Sequence, residues 1–145
     1  MELKDGHIKT VGKDNLHYQF TYKVRTYRES LDDIDVIAFM VAEPGRISND
    51  YFDFQFVELP DNEIKITSMF VGIDDYYRGK GLPEALIMEV QRLFPYQTII
   101  SSSNTHKVLH REDRWEPGTA VWERLVRSGN AKYSKERDIY YLIKP

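Results

Sequence analysis

The chain has 145 residues, 41% of them hydrophobic and 30% charged, and it contains no cysteine. That length accommodates one domain around one core, and the missing cysteine excludes disulfides, thiolate metal sites and a cysteine nucleophile. The net charge of −3 conceals a bipolar layout: residues 29–63 carry ten acids against one base, Arg46, for −9, while residues 1–28 and 64–145 carry +3 each. Tyr and Phe in the strands would allow stacking on bases, but a middle segment this acidic argues against a nucleic-acid binder. No apolar run approaches the ~20 residues that span a bilayer, and Met1–Asp5 has no signal-peptide h-region, so a cytoplasmic protein without membrane contact is expected.

The first half reads as strands. Between Leu16 and Tyr27 alternation places Tyr18, Phe20, Tyr22, Val24 and Thr26 on one face. Val36–Val41 is a short apolar run closed by Pro44-Gly45, and Tyr51–Leu59 alternates again. Pro60-Asp61-Asn62 predicts a hairpin into a fourth strand, Glu63–Ile73, whose slip from alternation to the run Met69-Phe70-Val71 predicts a bulge or deeper burial. Leu82, Ala85, Leu86, Val90, Leu93 and Phe94 then recur at helical spacing up to Pro95. Thr98–Ser101 is a buried strand. Pro117–Arg127 is a second helix with Ala120, Val121, Leu125 and Val126 inward and Gly129 as its stop, and Ala131–Ser134 and Ile139–Ile143 are closing strands. The order of about four strands, helix, strand, helix and two strands is that of an α+β or mixed α/β domain of at most three layers.

Chemistry concentrates between the fourth strand and the first helix, at Arg78-Gly79-Lys80-Gly81-Leu82-Pro83. A helix start presents unpaired N–H groups and about half a positive charge, glycines let a phosphate approach the backbone, and Arg78 and Lys80 add charge. These residues resemble the acetyl-CoA loop of the GCN5-related N-acetyltransferase (GNAT) superfamily, Arg/Gln-x-x-Gly-x-Gly/Ala between that family's fourth strand and third helix; Pro83 departs from it at the sixth position. The resemblance covers residues ~63–145. It implies a central, mostly antiparallel sheet of about 6–7 strands flanked by helices, with acetyl-CoA as co-substrate. Arg78, Gly79, Lys80, Gly81, Leu82 and Pro83 would then hold the pyrophosphate, and the backbone of Phe70, Val71, Gly72 and Ile73 the pantetheine, in the gap where the fourth and fifth strands splay. Asn104, just after the fifth strand, would face the cofactor.

The same resemblance implies direct acetyl transfer to an amine acceptor. Relatives often place a Tyr four residues before the helix-ending Gly, where Leu125 stands; Tyr133, with Tyr140 and Tyr141, is the substitute proton donor. Relatives often carry a Glu on the fourth strand, where Thr67 and Ser68 stand; Glu58 on the neighbouring strand is the first candidate base, then Asp74 and Asp75. Relatives also insert two helices between their first two strands, but Arg28–Asp35 holds only a turn. The acceptor site is therefore either open, suiting a large substrate, or completed by another chain, as in a homodimer. A longer acyl-CoA is the rival co-substrate, and a catalytically silent CoA-binding or protein-interaction module is the rival class.

Three further features complete the reading. The acidic segment is either an attractor for a cationic acceptor or a solvated face. His106 and His110 stand at i and i+4 with no evident third ligand, so no metal site is expected. The long polar stretch 101–116 predicts a mobile gate over the cofactor.

Overall fold

The computed structural model describes residues 3–45, 51–70, 76–109, 112, 114 and 116–144, without the side chains of Phe70 and Glu116. Its elements are β1 (Gly6–Val11), β2 (His17–Glu29), β3 (Ile34–Ala42), β4 (Phe52–Leu59), β5 (Glu63–Phe70), α1 (Leu82–Leu93), β6 (Thr98–Ile100), α2 (Glu116–Arg127), β7 (Ala131–Ser134) and β8 (Ile139–Leu142). The eight strands form one sheet in the order β1-β2-β3-β4-β5-β6-β8-β7, antiparallel throughout except for β5 beside β6. That is one strand more than the upper estimate from sequence. The addition is β1, which alternation hides because its inward positions are Ile8 and Thr10, only one of them apolar.

Short polar residues make the sharp connections. Asp61 and Asn62 both adopt positive φ (66° and 61°), which these short polar residues tolerate, in the three-residue turn Pro60-Asp61-Asn62 that is the predicted link between β4 and β5. Asp33 (φ 54°) turns β2 into β3 and Asp138 (φ 50°) turns β7 into β8. Among the described residues no helix precedes α1, and residues 30–33 between β2 and β3 are a turn. No helix of the described residues is long and apolar enough to cross a membrane.

One face of the sheet carries both helices. Phe20, Tyr22, Phe39, Phe54 and Phe56 pack there against Leu82, Leu86, Ile87 and Val90 of α1 and Val121, Trp122 and Leu125 of α2. Phe39 holds the aromatic core together, stacked on Tyr22 at 4.4 Å and edge-on to Phe56 at 5.2 Å. Alternation sends Val36 and Val57 to the opposite face, where Leu109 covers them in a smaller cluster flanked by Tyr27, Ile34, Leu59 and Val108. Thr26, placed inward by alternation, is exposed because the helical layer covers only the first part of β2, whereas Tyr27 gains cover on the other face. In α2, Val126 is likewise exposed, and Ala120 faces the open space described below rather than the core.

Two irregularities shape β5. Gln55 pairs with Ser68 and Phe56 with Ile66, which leaves Thr67 as the extra residue of a β-bulge where the sequence pattern slips. On the other side β6 accompanies β5 only from Glu63 to Lys65; Ser101 then gives its amide to the Tyr140 carbonyl of β8 at 2.8 Å. From Ile66 onward β5 has no ladder partner on that side among the described residues. The bulged Thr67 hydroxyl is buried and meets no hydrogen-bond partner among them either.

The stretch 101–116 is not the free gate that its polarity predicts. The Lys65 ammonium, 3% exposed, donates to Glu112 Oε2 at 3.0 Å and to the His106 carbonyl at 2.9 Å. Glu112 in turn accepts from the amides of Ser103 and Val108, both at 2.8 Å. A charge pair at this depth is tolerated because these added hydrogen bonds satisfy it, and it fastens the described residues of the stretch to the sheet. Removing one partner strands the other, so Glu112→Ala should cost about 3–5 kcal/mol in urea unfolding. A Lys65→Met, Glu112→Leu double variant should recover much of that loss; a double variant as unstable as the single one would show that the pair is not the fastener.

Candidate functional site

The region that precedes α1 is shaped by contact with β1. Gly79 and Gly81 adopt φ of 75° and 78°, where a side chain is strained. A Cβ on Gly81 would stand 2.5 Å from the Val11 carbonyl oxygen, whereas one on Gly79 would meet nothing within 4 Å. Gly81 is thus required by packing as well as conformation, and Gly79 by conformation alone. The Lys13 amide donates to the Gly79 carbonyl at 2.9 Å and the Thr10 hydroxyl to the Lys80 carbonyl at 2.6 Å, so β1 and the turn after it grip the loop. Gly81 is the N-cap of α1 and no side chain caps it; with Pro83 lacking an N–H, Leu82 and Glu84 carry the first-turn amides that face an incoming anion.

Beside this helix start lies a cavity of about 790 Å³. Its walls are residues 9–13, Phe52 at the start of β4, Met69 near the end of β5, the loop at Tyr77–Gly79 and Gly81, and facing sides of α1 and α2. Among the described lining residues are four bases, Lys9, Lys13, Arg78 and Arg124, against one acid, Glu84, in a chain whose net charge is −3. Glu84 is matched by Arg124 at 2.5 Å, a pair that also ties α1 to α2.

The structure divides the residues selected from sequence. Arg78, Gly79, Gly81 and Pro83 line the cavity. Lys80 does not: its ammonium sits 3.2 Å from the centre of the Tyr76 ring, with Tyr18 and Tyr77 at 5.4 and 5.9 Å, so its charge is spent on aromatic faces. Leu82 is fully buried in the core, because it is the first inward position of α1. Phe70 is described only as backbone of β5, and Val71, Gly72, Ile73, Asp74 and Asp75 lie outside the described residues. Leu125, at the position where a proton donor is sought, lines the cavity with a hydrocarbon side chain.

The three candidate catalytic side chains are not brought together there. Glu58 is exposed at the far end of β4, six residues or about 20 Å along the strand from Phe52. Asn104 is exposed and clasps Arg114: its amide nitrogen donates to the Arg114 carbonyl and its oxygen accepts from the Arg114 amide at 2.8 Å. Tyr133 donates to Asp138 Oδ1 at 2.8 Å, which raises its pKa and makes it a poorer proton donor. Residues 106–109 do not form a helix, His110 lies outside the described residues, and among the described residues no three potential ligands gather for a metal. Comparison with family models, with curated proteins and with solved structures returns no match for this chain.

Sequence reasoning missed Lys9 and Lys13. Gly12, just after β1, was the available signal, for a glycine there allows the close backbone approach in which a Cβ would meet the Gly79 carbonyl at 2.9 Å. It also missed the cluster around Asp138. Arg114 donates to Asp138 Oδ1 at 2.8 Å and to the Asp138 carbonyl at 2.8 Å, and the Asn104 amide donates to Oδ2 at 3.0 Å. Burial pushes the Asp138 pKa up, but Arg114, Tyr133 and the Asn104 amide outweigh it and hold the pKa at about 2. A depressed carboxylate contributes stability that is present above its unfolded pKa and lost as pH falls through the folded value. Asp138→Asn suits the left-handed turn, removes the charge and replaces one of the two accepting oxygens with a donor. The part of its deficit that comes from the charge should be full at pH 7, shrink below about pH 4 and be lost below about pH 2, leaving only the cost of the missing acceptor; a deficit independent of pH in acid unfolding would refute the assignment.

Proposed function

We propose that this chain is a GNAT-like domain that binds acetyl-CoA in the cavity beside α1 and passes the acetyl group directly to an amine. The observation that carries the reading is the cavity itself. A glycine loop and an uncapped helix start meet a surplus of three positive charges among the described lining residues, in a chain whose net charge is −3. A diphosphate is the ligand that such a rim suits. Two features of the sheet support the thioester end. β5 and β6, the parallel pair among the described strands, part after three residues, and the Thr67 hydroxyl of the stretch so freed, which does not itself line the cavity, is buried with no hydrogen-bond partner among the described residues, leaving it open to an extended pantetheine arm.

In the reaction the amine nitrogen attacks the thioester carbonyl carbon, the C–S bond breaks, the thiolate departs and the amine proton is released. The residues of this chain that line the cavity would bind and orient the cofactor, which is where positioning lowers the barrier. A free amine and solvent would manage the proton, since Glu84 is committed to Arg124 and Glu58 is remote. That distribution favours one second reading, a silent CoA-binding module on the same fold, because none of Glu58, Asn104 and Tyr133 reaches the cavity.

Calorimetry with acetyl-CoA tests the binding step, and micromolar affinity is expected; a folded protein that takes up no heat at a hundred micromolar ligand would overturn both readings. Thiol release against amines such as polyamines, aminoglycosides and lysine-rich peptides then separates them. Turnover supports the enzyme, and binding without turnover across the panel supports the silent module. Arg78→Ala should weaken acetyl-CoA binding by about tenfold, as loss of one charge-assisted contact does.

A further inference from the structure

Lys9 and Lys13 come from β1 and the turn that follows it, far in sequence from the glycine loop, yet both line the cavity. Lys13 adjoins the loop, since its own amide bonds the Gly79 carbonyl. Lys9 stands four residues earlier, up to about 13 Å away along an extended chain. Both are exposed, and neither forms an ion pair with a carboxylate among the described residues. Of the other two bases in the cavity, Arg124 is matched by Glu84, and Arg78 belongs to the loop where a diphosphate would bind. The two lysines therefore add two cations on the wall formed by β1 and its turn, beside the loop rather than on it.

We propose that Lys9 and Lys13 bind the 3′-phosphate of coenzyme A and make the cavity selective for the 3′-phosphorylated nucleotide over its dephospho form. The inference rests on the reading of the cavity as a coenzyme A site. A diphosphate held at Gly79 and Gly81 leaves the 3′-phosphate one ribose away, beside Lys13 and within reach of Lys9 once its long side chain, which leaves the edge strand β1 between the inward Ile8 and Thr10, folds over the sheet edge. A phosphate monoester carries between one and two negative charges at pH 7, so two ammonium groups match it, and their flexible stems do not demand the fixed fork of an arginine site. The loop and helix start cannot supply this discrimination, because the diphosphate they face is common to both nucleotides.

The test is calorimetric titration of the natural chain and a Lys9→Met, Lys13→Met variant with coenzyme A and with dephospho-coenzyme A, at low and at moderate salt. Methionine keeps the apolar stem, and thermal unfolding checks that the variant folds. The natural chain should bind coenzyme A about tenfold more tightly than the dephospho form, with the preference narrowing as salt rises. The variant should bind both with the affinity that the natural chain has for dephospho-coenzyme A. Equal affinities in the natural chain, or a preference that survives in the variant, would overturn the assignment while leaving the coenzyme A site standing. Failure of both nucleotides to bind the natural chain would overturn the site and the assignment together.

Discussion

Two stretches of backbone meet here at a distance only glycine permits. Gly12 lies against the Gly79 carbonyl and Gly81 against the Val11 carbonyl, with a side-chain carbon excluded at 2.9 and 2.5 Å. Everything at the candidate site follows from this contact. It lets the Lys13 amide and the Thr10 hydroxyl bond the loop from the side, which fixes where α1 starts and leaves its first amides open. It brings the basic end of β1 to a helix start that is far away in sequence. It also makes the edge strand of the sheet one wall of the cavity rather than a free edge.

The contact would mean little without a rigid α1, and the core provides it. Leu82, Leu86, Ile87 and Val90 fill the helix-bearing face, and Glu89 reaches the sheet by accepting from the Tyr22 hydroxyl at 2.7 Å while Arg92 neutralises it. The second helix stands off from the first at the cavity and is tied to it by Arg124 and Glu84. On the far face the buried Lys65–Glu112 pair holds the described residues of the stretch 101–116 down. One face is thus closed by apolar packing and the other by charge and hydrogen bonding, and the cavity lies between facing sides of the two helices.

Much of this organisation was legible in the sequence, because strands β2 to β5 and both helices announce themselves by periodicity and by Pro, Gly and Asn punctuation. β1 escaped because threonine holds an inward position that pattern reading expects to be apolar. Thr26, Ala120 and Val126 were misassigned because periodicity reports which side a residue faces and not whether anything covers that side. The glycine loop was legible as a tight turn into a helix, with Arg78 at its cavity wall, since its conformation is local. Lys80 was not, for its ammonium is claimed by Tyr18, Tyr76 and Tyr77, an arrangement that only the tertiary structure creates. The same limit applies to Asn104 and Tyr133, whose polar groups are taken by Arg114 and Asp138, and to Glu58, which a strand's length separates from the cavity.

The bulge at Thr67 has a consequence beyond the irregular ladder. Before it, Ile64 and Ile66 face the helices; strict alternation would then hand the next such position to Ser68. The extra residue advances the phase by one, so that Met69, opposite Phe54, takes that place instead. A single inserted amino acid thereby decides that the cavity floor is a thioether rather than a hydroxyl. It also sets the faces of Ser68 and Met69, so deleting one residue at this point would exchange them.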